Sequence, residues 1–117
     1  MSYNTLRKKQ TMQDTVSFSK YGRPFQETLA FLMLDDRPFS EQMEEVLDVS
    51  FFELKYLKVF VEKIFDYRRK YKAHPSKQAM SSVVRTCLED ENETVQKQVR
   101  DYFARSLVGK IEDQNYI

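Results

Sequence analysis

Apolar residues recur along most of this chain at alternating steps of three and four, the spacing of one face of an α-helix. The clearest run spans residues 50–72, SFFELKYLKVFVEKIFDYRRKYK. There Leu57, Phe60, Ile64, Tyr67 and Tyr71 share one face, and Leu54, Val61 and Phe65 widen it. Lys55, Lys58, Glu62, Asp66 and Arg69 fall opposite. Ser50 with Glu53 forms a capping-box pair, and Val49 with Leu54 can close a hydrophobic staple outside it. Pro75 disfavours helix at His74, and Arg68, Arg69, Lys70 and Lys72 fill the last turns, where the helix dipole favours cations. The pattern predicts one long helix whose face is too wide to bury alone, so neighbouring segments must cover it.

Four further segments have the same period. Pro24 suits the first position of a helix with Phe25, Leu29, Leu32 and Met33 on its buried face, ending near Asp35 before Pro38. Ser40 can cap a short helix carrying Met43, Val46 and Leu47, with Phe39 packing outside the cap. Ser76 can cap a third, in which Met80, Val83, Val84, Cys87 and Leu88 follow the amphipathic template without a gap. The last carries Val95, Val99, Tyr102, Phe103 and Leu107, with Gly109 as its expected C-terminal cap and Lys110 as a dipole partner. Residues 113–117 read as the opening of one more helix.

Composition narrows this to an all-α protein. A chain of 117 residues makes one domain, and 2 glycines and 3 prolines are too few turn residues for a many-stranded sandwich or barrel. One cysteine excludes an internal disulfide framework and suits a reducing compartment. No apolar run approaches the roughly 18 residues of a membrane helix, and the N-terminus lacks the apolar core of a signal peptide. A cytoplasmic protein without a membrane partner is expected.

Charge is uneven. Residues 1–23 carry Arg7, Lys8, Lys9, Lys20 and Arg23 against Asp14 alone, a net +4 that leaves −3 for the rest of a chain of net charge +1. This is either a basic arm for nucleic acid or an acidic partner, or a solvated, flexible leader. The alternation of Val16, Phe18 and Tyr21 also allows a short extended segment packed on the domain. Residues 67–72 interleave Tyr67 and Tyr71 with Arg68, Arg69, Lys70 and Lys72, as single-strand binders do. The same residues also serve as a buried stripe and a cationic helix end.

Candidate chemistry is sparse. A phosphate-binding loop needs glycines followed by Lys and a hydroxyl. Gly109–Lys110 lacks both the upstream glycine and the hydroxyl, which argues against nucleotide hydrolysis by this chain. His74 is the only histidine, so a zinc site, Cys–His pair or serine triad would have to pass through it. Its simpler role is to close a helix C-terminus. Cys87 on an apolar face reads as a small core residue rather than a nucleophile. Glu89, Asp90, Glu91 and Glu93 could hold a cation, but a helix N-terminus is reason enough for them. No catalytic, cofactor-binding or metal-binding residue is expected.

One resemblance covers nearly everything after the basic tail. Residues 29–71 resemble the N-terminal domain of DnaB-type replicative DNA helicases, particularly phage versions. The matching features are a helix ending in LMLDD (residues 32–36), the aromatic pair Phe51 and Phe52, and the Val59–Phe60 step inside the long helix. The Pro75–Ser76 junction and another amphipathic helix follow. The bacterial domain often carries a Gly-Gly turn after the position of Leu88; this chain has Glu-Asp-Glu instead, which favours the phage-type variant.

The resemblance implies a non-catalytic collar domain that forms part of a hexameric ring, pairs with neighbouring subunits and engages primase or a helicase loader. The family's motor domain and linker helix do not follow in this chain. The expected fold is therefore a small orthogonal helical bundle around one long central helix, with the first arm of a C-terminal helical hairpin. Residues 1–23 would be a flexible basic tail, and 24–117 an interaction domain truncated in its last helix. Val95, Val99, Tyr102, Phe103 and Leu107 would face a partner subunit, so self-association is expected. The alternative is a small phage or regulatory protein binding nucleic acid through Arg7, Lys8, Lys9, Arg68, Arg69, Lys70 and Lys72. If phage-encoded, the chain would work in the host cytoplasm.

Overall fold

A computed structural model describes the backbone of residues 17–116 and the side chains of residues 17–109. The described residues form five α-helices: α1 (Gly22–Asp35), α2 (Arg37–Val46), α3 (Lys55–Tyr71), α4 (Lys77–Thr86) and α5 (Glu93–Tyr116). Turns of 3-10 helix at Ser19–Tyr21 and Val49–Phe51 precede α1 and α3. The protein is an all-α bundle, as its periodicity predicts. Packed structure begins ahead of residue 24: Phe18 sits edge-on to Phe25, Phe51 and Phe52, and its N–H donates to the Phe51 carbonyl at 2.8 Å.

The long helix is central. Leu57, Phe60, Val61, Ile64 and Phe65 are buried, and so are Tyr56 and Val59. A helix buried over this much of its circumference needs cover on several sides. α1, α4 and α5 all pack on it. The stripe fades at its C-terminal end, where Tyr67 is half-buried and Tyr71 is 55% exposed.

Several boundaries differ from expectation, each for a local reason. α3 starts at Lys55 rather than Ser50. The Asp48 carboxylate takes the Ser50 N–H at 2.9 Å and holds residues 49–51 in a 3-10 turn, which removes the expected capping box. The Glu53 N–H instead donates to Oε1 of Gln26, a fully buried side chain of α1, at 2.9 Å. The Nε2 of Gln26 donates to the Phe18 carbonyl at 3.2 Å, so both ends of the buried amide are satisfied. α3 stops at Tyr71 because Lys72 adopts the left-handed conformation, φ 57°.

α1 is rotated from its expected face. Gln26, Ala30, Met33 and Leu34 are buried, whereas Phe25 is 43% exposed beside Tyr21. α2 is capped by Asp36, whose carboxylate accepts the Phe39 N–H at 3.0 Å, with Pro38 in the first turn. Ser40 therefore lies one turn inside the helix, buried, with its hydroxyl unpaired. Val46, expected to be inward, is 69% exposed.

The Ser76 cap of α4 forms as expected, with its hydroxyl oxygen accepting the Ala79 N–H at 2.9 Å. Met80, Val84 and Leu88 are buried, but α4 ends at Thr86 and Cys87 is exposed rather than core. Asn92 caps α5 through the Val95 N–H at 2.9 Å. α5 then runs through Gly109 to Tyr116, so the expected stop at Gly109 and separate helix from residue 113 are replaced by one 24-residue helix. A single glycine costs a helix only about 1 kcal/mol, and no proline follows it.

Candidate functional site

The residues expected to face a partner instead fill the protein's own core. Val95, Val99, Tyr102 and Phe103 are 0 to 7% exposed, and Leu107 is half-buried against the same cluster. The Phe60 ring meets the Tyr102 ring edge-on at 5.1 Å and lies 6.0 Å from Phe103. The apolar face of α5 is thus covered by α3, which the long central helix makes possible without a second arm. A charged group at Tyr102 would be forced into the core rather than release a folded monomer.

The densest polar constellation in the described residues was not anticipated. Glu27 of α1 receives Tyr56 Oη of α3 at 2.6 Å on Oε2 and Arg23 Nε at 3.2 Å. Arg105 of α5 grips it with both terminal nitrogens, Nη1 on Oε1 at 3.3 Å and Nη2 on Oε2 at 3.1 Å. Tyr102 Oη donates to the Glu27 backbone carbonyl at 2.5 Å. Burial pushes the Glu27 carboxyl towards its neutral form, but hydrogen bonds from Arg105, Tyr56 and Arg23 together outweigh it and hold the carboxyl below its usual range. Burial raises the Tyr102 and Tyr56 phenols, with the Glu27 bond adding to the shift at Tyr56. Every one of these donors already has its acceptor, so the cluster pins three helices together.

The expected nucleic-acid residues divide. Arg7, Lys8 and Lys9 lie outside the described residues. Arg68 Nε pairs with Glu44 Oε1 at 2.7 Å, and Arg69 pairs with Asp66 and reaches Glu44 at 3.9 Å. Lys70 and Lys72 are exposed, with Lys70 Nζ 5.3 Å from the Tyr71 ring centre. Tyr67 and Tyr71 stack at 4.5 Å between ring centres.

His74 does close a helix C-terminus, although that of α1 rather than α3. Its Nε2 lies 2.8 Å from the Leu34 carbonyl, which can only accept, so Nε2 carries the proton. Nδ1 then accepts from Arg68 Nη1 at 3.0 Å. Arg100 serves α4 in the same way, Nε donating to the Val84 carbonyl at 2.9 Å. Glu91 and Asp90 pair with Lys55 and Lys63 at 3.9 and 3.7 Å, and Glu93 opens α5. Among the described residues, no group of acidic, histidine or cysteine side chains could hold a metal ion.

An open groove of about 410 Å³ lies between the end of α2, the following turn and the middle of α3. Val46, Leu47, Val49 and Phe65 supply its apolar surface, and Glu44, Glu45, Asp48, Glu62 and Arg69 its charged rim. No protein-family model, curated protein or solved structure matches this chain.

Proposed function

We propose that this chain is a non-catalytic collar domain, or part of one, of a DnaB-type replicative DNA helicase, working through protein contacts. The observation that carries this reading is the coincidence of the resemblance's junctions with helix boundaries. LMLDD ends α1, and its final residue, Asp36, caps α2. Phe51 and Phe52 sit at the turn before α3, with Phe52 fully buried. Val59 and Phe60 are buried within α3, and Pro75–Ser76 opens α4. Self-association on this reading uses α5 beyond the core, where Val108 is 55% exposed, in place of the buried residues from Val95 to Phe103. The chain would act in the cytoplasm, that of the host if phage-encoded; no described helix is long and apolar enough to cross a membrane.

The test is titration calorimetry of the protein against the primase and the helicase loader encoded by the same genome. Saturable heat with either supports the reading. No heat with both at high micromolar concentration would sink it.

One observation favours nucleic acid as a second reading: Tyr71, Lys70 and Lys72 are exposed together at the end of α3. Such a site binds single strands with steep salt dependence. A fluorescence titration with single-stranded DNA at low salt decides it, and affinity that ignores salt would count against it.

A further inference from the structure

The groove between α2 and α3 is unusual in combining exposed apolar surface with uncompensated negative charge. Val46 is 69% exposed above Leu47 and Phe65, which are buried. Of the rim carboxylates, Glu44 is taken by Arg68 and Arg69. Glu45 and Glu62 have no ion-pair partner among the described residues. Asp48 has no ion-pair partner among the described residues; the Ser50 N–H, with a further bond from the Ser50 side chain, holds its carboxyl below the usual range and therefore ionised. Three carboxylates thus face a surface that also offers an apolar floor.

The chain enters the described structure beside this groove. The Phe18 N–H donates to the Phe51 carbonyl, and Phe51 follows Val49, a groove residue, by two positions. Sixteen residues precede Ser17, and they carry Leu6, Arg7, Lys8 and Lys9 in succession. Lys9 is eight residues before Ser17, a reach of up to about 28 Å when extended. Phe51, bonded to the entering chain, is two residues from Val49 of the groove, a separation of at most about 7 Å along the backbone, which that reach spans. Three cations following one aliphatic residue match three carboxylates that lack an ion-pair partner among the described residues, around an apolar floor.

We infer that residues 6–9 of this chain dock in cis into the groove lined by Val46, Val49, Phe65, Glu45, Asp48 and Glu62. Leu6 covers the apolar floor, and Arg7, Lys8 and Lys9 neutralise the rim. The contact lies at the surface, so it is held largely by charge and loosens with salt. It acts as an internal occupant that any basic partner segment has to displace. The inference is independent of the replication reading, since it rests on the groove, the chain entry and the charges alone.

The experiment is paramagnetic relaxation on the full chain. A spin label is attached at Thr5→Cys in a Cys87→Ser background, Cys87 being exposed and outside the core. The expected result is loss of amide signal at Val46, Val49 and Glu62, with the far side of α5 unaffected. The loss should disappear at about 1 M salt, where the screening length is about 3 Å. It should also disappear in Glu45→Lys with Glu62→Lys, and return when Lys8→Glu and Lys9→Glu are added to that pair. Unchanged amide shifts of Phe60 and Val99 show that each variant is folded. Signal loss spread evenly over the surface, or absent from the groove, overturns the inference. So does signal loss at the groove of an isotope-labelled chain mixed with a separate spin-labelled one, because the occupant would then be a second copy.

Discussion

Two regions of this molecule use the same side chains to opposite ends. Around Glu27, Tyr56 and two arginines from three helices converge on one carboxylate, and Tyr102, 1% exposed, bonds the backbone carbonyl of the same residue. At the end of α3, two tyrosines and four cations stand within six residues, yet only Arg68 and Arg69 have acidic partners among the described residues, and Tyr71 is 55% exposed. The difference is how many donors a half-buried acceptor gathers: Glu27 collects them from three helices, whereas Glu44 takes only the two arginines and leaves Lys70, Tyr71 and Lys72 outside. A carboxylate held between helices converts aromatic and cationic side chains into a cross-brace, whereas without one they stay on the surface as available binding groups.

The largest contrast should come from the rings. Tyr102→Ala empties a core site and removes the phenol's hydrogen bond, so a loss of about 3–5 kcal/mol is expected. Tyr71→Ala should stay within about 0.5 kcal/mol. Denaturant melts of the two variants measure both, and equal losses would break the comparison.

Next comes the carboxylate. Glu27→Gln keeps the shape but loses the charge that both arginines address, for an expected cost of about 1–2 kcal/mol. The low figure reflects that Arg23 and Arg105 are more than half exposed. The same group sets a pH dependence. Because its folded carboxyl lies below the ordinary value, its contribution is complete at neutral pH and is lost as pH falls through the folded value. The stability gap between the wild type and Glu27→Gln should therefore narrow as the pH falls below the ordinary carboxyl value, which thermal melts across a pH series would follow. A gap that widened on acidification would place the carboxyl above its ordinary value instead.

The smallest effect belongs to the exposed cations. Lys70→Glu with Lys72→Glu should change stability by no more than about 0.5 kcal/mol. Any single-strand binding at low salt should nonetheless vanish in this variant, as a fluorescence titration would show. Binding that survives the double change would remove the end of α3 from consideration.

The sequence made one of these regions visible and hid the other. Residues 67–72 are contiguous, so their mixture can be seen by eye. Glu27, Tyr56 and Tyr102 are spread over 75 positions, and nothing local to any of them signals the meeting. Periodicity was enough for the helices and for Leu57, Phe60 and Ile64, because burial of a stripe is a property of the helix itself. It did not distinguish Ser50 or Ser40 from the true caps, since Asp48 and Asp36 nearby compete for the same backbone donors. Nor could it tell a partner's surface from the protein's own. The apolar face of α5 was legible, but what covers it depends on where α3 lies.

The amide of Gln26 joins three pieces of chain that no helix connects. Its oxygen holds the Glu53 N–H and its nitrogen holds the Phe18 carbonyl, and the Phe18 ring meets that of Phe52 edge-on. The Glu53 amide belongs to no helical ladder, yet its hydrogen is held by a fully buried side chain. Its hydrogen should therefore exchange with deuterium as slowly as those in the middle of α3, and only when the whole bundle opens. The loop ahead of α3 is, in kinetic terms, part of the same cooperative unit as the helix it leads into.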